Sequence, residues 1–193
     1  MTTKITDNFS LDEFTNNDKS IIVNDVMMFM IKSLCENVLE PLRNFWGCKV
    51  KINSGIRTEK QNSILIKNGY NPSDKSDHFY GASVKTKTEK TRRRYGDTYN
   101  FSVGAVDIMP VCGGFALAAF DKTRQLFQPQ YNMINLPGGA IKIGQFILEK
   151  GNSYWIHVSN HPSIIYSNKF VSSFLEKKPF LISLDNGKTY KEA

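Results

Sequence analysis

The chain has 193 residues, 40% of them hydrophobic and 22% charged, which suits one compact unit with a sizeable core and argues against long disorder. No apolar run approaches the ~18 residues of a membrane helix, and the first twenty residues hold no signal-like apolar stretch. Cys35, Cys48 and Cys112 form no CxxC, so a disulfide framework and a cysteine-rich zinc module are both excluded, and a reducing compartment during synthesis fits. The net charge of +7 favours polyanionic partners: nucleic acid, an anionic membrane surface or a cell wall.

The predicted elements begin at NFSLDEF, where Ser10 and Glu13 have the spacing of a capping box at a helix start. Helical spacing then links Val26, Met27, Met30, Ile31, Leu34, Val38 and Leu42, a stripe read as core packing. Pro41 falls inside it and predicts a kink or break, and Gly47 a stop. KVKINSG alternates apolar and polar, as a strand from Lys49 into a turn at Gly55. Glu59 to Asn68 reads as a helix closed by Gly69, followed by the turn-rich NPSDKSDHFYG.

Ser83 to Ser102 is different in kind: six basic residues, two acids and few aliphatics, as in an exposed loop or an extended hairpin. Val103 to Ile108 is apolar apart from Asp107, like a buried strand, and Phe115 to Phe127 has a helical character. Ile141 to Lys150 and Tyr154 to Ser159 form a predicted hairpin through Gly151-Asn152-Ser153. The remainder suggests a short helix in SNKFVSSFLEKKPF, then a terminal strand and a frayed end.

Three residues could carry chemistry together. His78 lies in a turn-rich loop, His157 on a predicted strand, and Asp107 is a lone acid in an apolar strand. A buried unpaired carboxylate is costly, so such an acid usually has a cation, a metal or several N–H donors. Two histidines and a carboxylate are the ligands of an open zinc site with a fourth position for water. On the residues alone, hydrogen-bonded core side chains fit as well. His161, before Pro162, reads as a surface histidine.

Several short motifs occur in a telling order: VLEPLR at Val38 to Arg43, SGIRT at Ser54 to Thr58, Asn62, SDHFYG at Ser76 to Gly81, GAVD at Gly104 to Asp107, and WIHVS at Trp155 to Ser159. From about Asn8 to Ser159 the chain resembles the zinc D-Ala-D-Ala carboxypeptidase family. That family includes phage L-alanyl-D-glutamate endolysins and shares a fold with the Hedgehog signalling domain. The resemblance implies a Zn2+ site of His78, Asp107 and His157, with Arg57 facing the substrate. A guanidinium there can bind a carboxylate or stabilise an oxyanion.

The chain departs from the family pattern twice. The compact H-x-x-G-x-A-x-D is opened, with 28 residues between His78 and Asp107, so the basic segment reads as an insertion after Gly81. The catalytic Glu that many members carry three residues before the last His is Tyr154 here, a poor base at neutral pH. Symmetric pairing about the Gly151–Ser153 turn sets Glu149 opposite Trp155 and Ile147 opposite His157. Glu149 then shares a face with His157 as a catalytic base or an orienter of His157. A one-residue slip would turn it away, leaving a solvated hairpin-end acid.

These readings predict one α+β domain, a small antiparallel sheet with helices packed on one side, in the Hedgehog/DD-peptidase manner. The resemblance implies a zinc metallopeptidase acting on peptidoglycan stem peptides. Synthesis in a host cytoplasm, then release at lysis or carriage in a virion, suits the absence of a signal. The alternative is a catalytically degraded structural protein of a phage particle, contacting other virion proteins. Nucleic-acid binding through Lys85, Lys87, Lys90, Arg92, Arg93 and Arg94, with Tyr95 and Tyr99 for stacking, ranks last.

Overall fold

The computed structural model describes residues 3–72, 76–80, 83–85, 99–101, 103–111, 116–161, 180–185 and 188–193, with only the backbone for 83–85 and 99–101. The first helix, α1 (Leu11–Phe14), is a single turn closed by the Ser10–Glu13 capping box. Asn24 caps α2 (Asp25–Leu34) by accepting the Met27 N–H. The predicted stripe is core at Met27, Met30, Ile31, Leu34, Val38 and Leu42, whereas Val26 is exposed.

Pro41 does not break the run. A π turn at Cys35–Leu39 leads into α3 (Glu40–Trp46), whose first turn carries the proline. The wider turn suits a residue with no N–H to give, and Pro is well tolerated in the opening turn of a helix. Gly47 ends α3 at φ 68°, as predicted.

The sheet is built on β1 (Lys49–Ser54), β4 (Ala105–Val111), β5 (Phe127–Gln128), β6 (Met133–Leu136), β7 (Gly139–Lys150), β8 (Tyr154–Asn160), β9 (Phe180–Ser183) and β10 (Lys191–Glu192). Its order is β1-β4-β8-β7-β6-β5, with β9 pairing both β7 and β10. Every pair is antiparallel except β7–β9, so the expected small antiparallel sheet is in fact eight strands with one parallel pair. β2 (Ser83–Lys85) and β3 (Tyr99–Phe101) pair as a separate antiparallel stem. The rest of the basic segment, and the helix expected before Phe180, lie outside the described residues.

Alternate residues of the central strands face opposite ways. Val106 and Ile108, Ile156 and Val158, Phe146 and Leu148, and Phe180 enter the core. There they meet α2, the π turn and α5 (Ala116–Arg124), which pack against β4, β7 and β8. Trp46 Nε1 donates to Thr123 Oγ1 at 3.0 Å and ties α3 to α5. The architecture is therefore mixed α and β, with a largely antiparallel sheet. Among the described residues no helix is long and apolar enough to cross a membrane.

Cysteine chemistry departs from the sequence expectation. Cys35 is a free, buried thiol, but Cys48 is disulfide-bonded. One bridge makes no framework, but it is a covalent link that the cysteine spacing did not announce.

Candidate metal centre

The face of the sheet turned away from the core carries the chemistry in two rows. Register pairs Ser54 with Asp107, Asp107 with His157, His157 with Ile147, and Ile147 with Leu181. The neighbouring row sets Trp155 beside Glu149 and Glu149 beside Ser183. The hairpin register expected from the Gly151 turn is the one observed.

The segment after β1 arches over this face and delivers the second histidine. Gly55 lets it pass: a Cβ there would run into the Phe14 carbonyl, and the next amide, Ile56 N–H, donates to that same carbonyl at 2.7 Å. Thr58 and Gln61 then cap α4 (Glu59–Lys67), a capping box not anticipated from the sequence. Arg57 N–H donates to the His78 carbonyl at 2.9 Å, and His78 N–H to Ser76 Oγ at 3.3 Å. Tyr80 OH donates to the Ala105 carbonyl at 2.8 Å, pinning the loop beside β4.

His78 Nδ1 lies 2.7 Å from the Gly55 carbonyl. A carbonyl can only accept, so the proton sits on Nδ1 and the lone pair of Nε2 faces the sheet. His78 Nε2 is 3.2 Å from Asp107 Oδ1 and 3.1 Å from His157 Nδ1, and His157 Nδ1 is 3.1 Å from Asp107 Oδ1. Three potential ligand atoms thus meet in a near-equilateral triangle, and all three residues are buried.

This group could hold a metal ion. Ligands on a tetrahedron with bonds of about 2.0–2.1 Å stand roughly 3.3–3.4 Å apart, close to the observed edges. The donor set, two imidazoles and one carboxylate, suits zinc without being specific for it.

Electrostatics favour the metal-binding forms of His78 and Asp107, and the protonated form of His157. Burial pushes His78 below its ordinary value and outweighs the pull of Asp107, so its imidazole is neutral. Burial works to raise Asp107, but the two histidines beside it, with His157 as the hydrogen-bond donor, outweigh that and hold its carboxyl well below the usual range. His157 moves the other way. Burial alone would lower it, yet the hydrogen bond and charge of Asp107, then Glu149, raise it.

Arg57 is half-buried, with its Nη2 3.6 Å from Asp107 Oδ2 and its Nη1 donating to Ser76 Oγ at 3.4 Å. Its Nε has no partner among the described residues, leaving a donor in a guanidinium that borders the cleft. The cleft has a volume of about 590 Å³ and takes in Arg57, His78, Asp107, Glu149 and His157 together.

Glu149 is not a solvated hairpin-end acid. Its Oε2 accepts from Trp155 Nε1 at 2.8 Å and its Oε1 from Tyr190 OH at 3.2 Å. Burial and then the Asp107 charge push its carboxyl up, against His157, Tyr190 and Trp155. His161, expected at the surface, is buried, and that burial pushes its ring below the ordinary value.

The Gly55 carbonyl, Ser76 and Tyr190 were absent from the sequence reading. Only Gly55 and Ser76 had a local signal, since they lie inside SGIRT and SDHFYG. Compared with family models, curated proteins and solved structures, the chain matches none of them.

Proposed function

We propose that this protein is a zinc-dependent peptidase of the Hedgehog/DD-peptidase fold, cutting peptidoglycan stem peptides in a phage setting. One observation carries the reading. His78 Nε2, Asp107 Oδ1 and His157 Nδ1 come from a loop and two strands, 79 residues apart at most, yet converge within 3.2 Å. The motif order around them supports the class of peptidase, and the positive charge suits an anionic wall.

His78, Asp107 and His157 would hold the ion. A zinc there supplies Lewis-acid polarisation of a scissile carbonyl and lowers the pKa of water toward neutrality. Arg57 binds a substrate carboxylate or the developing oxyanion, and its contact with Asp107 also holds that ligand's far oxygen. Glu149 takes the part of the family Glu whose place Tyr154 occupies: a carboxyl raised by burial takes up a proton more readily than an ordinary one, as a general base must.

The test is zinc content beside His78→Ala. The expected result is about one zinc per chain, lost in the variant, with cleavage of peptidoglycan stem fragments by the loaded wild type. A chain that takes up no zinc when supplied with it would overturn the reading and leave a structural protein on a peptidase-like scaffold.

A further inference from the structure

Glu149 borders the same cleft as the three residues that could hold a metal, without being one of them, and its carboxylate is gripped from two sides. One grip, Trp155 Nε1–H, comes from the opposite strand of its own hairpin. The other, Tyr190 OH, comes from 41 residues further along the chain.

The sheet explains how so distant a residue arrives there. Glu149 pairs with Ser183 in the parallel β7–β9 register, and Ile182 pairs with Lys191 across β9–β10. Tyr190 therefore sits one step beyond the Lys191–Ile182 pair, in the row of Ser183 and Glu149. Its ring must span the width of β9, and a phenol has about that reach at a strand spacing of ~4.8 Å. Nearly half of the Tyr190 surface remains exposed, yet its hydroxyl is turned inward.

The chain is also braced just before Tyr190. The Asp185 carboxylate accepts from Ser183 Oγ (3.0 Å), Lys188 N–H (3.1 Å), Thr189 N–H (2.9 Å) and Thr189 Oγ1 (2.6 Å). Four donors on one carboxylate fix the backbone that presents the ring. An exposed tyrosine with no task would need no such brace.

We propose that Tyr190 is a positioning residue: the β9–β10 hairpin is a wall of the site, and Tyr190 with Trp155 aims the Glu149 carboxylate into the cleft. This rests on the peptidase reading for what Glu149 does, but not for where it is held. With two donors on the two carboxylate oxygens, the group has one orientation instead of a rotating pair of oxygens. Burial makes the clamp more effective, because a hydrogen bond to a charged group strengthens as water is excluded.

The test uses the full chain and the variants Tyr190→Phe, Glu149→Gln and both together. The first measurement is the indole N–H resonance of Trp155, assigned against Trp155→Phe, which reads the carboxylate that it donates to and needs no activity. Tyr190→Phe is expected to shift that resonance, Glu149→Gln to shift it further, and the double variant to match Glu149→Gln. The second is hydrolysis of stem fragments by the zinc-loaded chains. There Tyr190→Phe is expected to lower kcat about three- to tenfold, at a KM within about twofold, with no further loss on top of Glu149→Gln.

An unmoved resonance in Tyr190→Phe would overturn the proposal. A loss that adds in full to that of Glu149→Gln would overturn it too, since Tyr190 would then act by itself. A wild type that binds zinc and cuts nothing would sink the peptidase reading, while the resonances still decide the clamp.

Discussion

Along β4, β7 and β8, residues one step apart live in opposite surroundings. Phe146 and Leu148 are in the core, and Ile147 between them borders the cleft; Val106 and Ile108 flank Asp107, and Ile156 and Val158 flank His157. The core face is held by shape. Phe146 stacks on Phe120 at 5.5 Å between ring centroids and lies 5.0 Å from Phe180. The site face is held largely by polar pairing, Asp107 with Arg57 and both histidines, Glu149 with Trp155 and Tyr190. A sheet with a period of two can set a core and a charged site back to back, because neither face needs what the other provides.

Truncation distinguishes the faces most sharply. Phe146→Ala leaves a closed hole among stacked rings and is expected to cost about 3–5 kcal/mol in urea unfolding. The folded fraction should match the wild type in zinc content. If it does not, the two faces are not independent and the comparison fails. Ile147→Ala removes a similarly hidden side chain from the same strand, but the space opens to the cleft and water can fill it. The expected cost is the transfer part alone, about 2 kcal/mol. An equal loss for the two variants would mean that the cleft wall is packed as tightly as the core.

The difference between the faces also explains what could be read in advance. β1, β4, β7 and β8 were legible because each has a short-range signal, and the Gly151 turn fixes a register that only one slip could spoil. His78, Asp107 and His157 were legible as residue types in order, while their convergence depends on a loop crossing the sheet. The observation that decides His78, its Nδ1 proton on the Gly55 carbonyl, is a backbone contact with no side-chain signature. Tyr190 could not be read at all. Its place follows from β9 joining β7 in parallel, a pairing across 30-odd residues that local pattern does not encode. The tail expected to fray folds back instead as β10. His161 misled for the same reason: burial is a tertiary property, and a residue before proline at a strand end looks like surface.

The smallest expected effect concerns the outer wall of the site face, which rests on a carboxylate at the surface. Asp185 is held down to about 2 by its hydrogen bonds from Thr189, then Ser183 and Lys188, against an ordinary 3.8. A depressed carboxyl contributes stability that is complete above its unfolded value and lost as pH falls through its folded one. The contribution is therefore present above about pH 4 and disappears toward pH 2. Because Asp185 lies at the surface, the effect is local: it loosens the β9–β10 turn and leaves the core standing. Hydrogen exchange of the Thr189 and Lys188 amides reads it directly, since both donate to Asp185. Their protection, measured against amides of β7 in the same sample, is expected to fall between pH 4 and 2 in the wild type. In Asp185→Asn it should be low throughout and flat. Glu149 supplies an earlier step, because its raised carboxyl takes up a proton before Asp185 does and weakens the grip of Tyr190 first. Protection at Thr189 that stayed constant down to pH 2 would mean that the turn stands without its carboxylate. The wall of the site would then be as self-supporting as the core behind it.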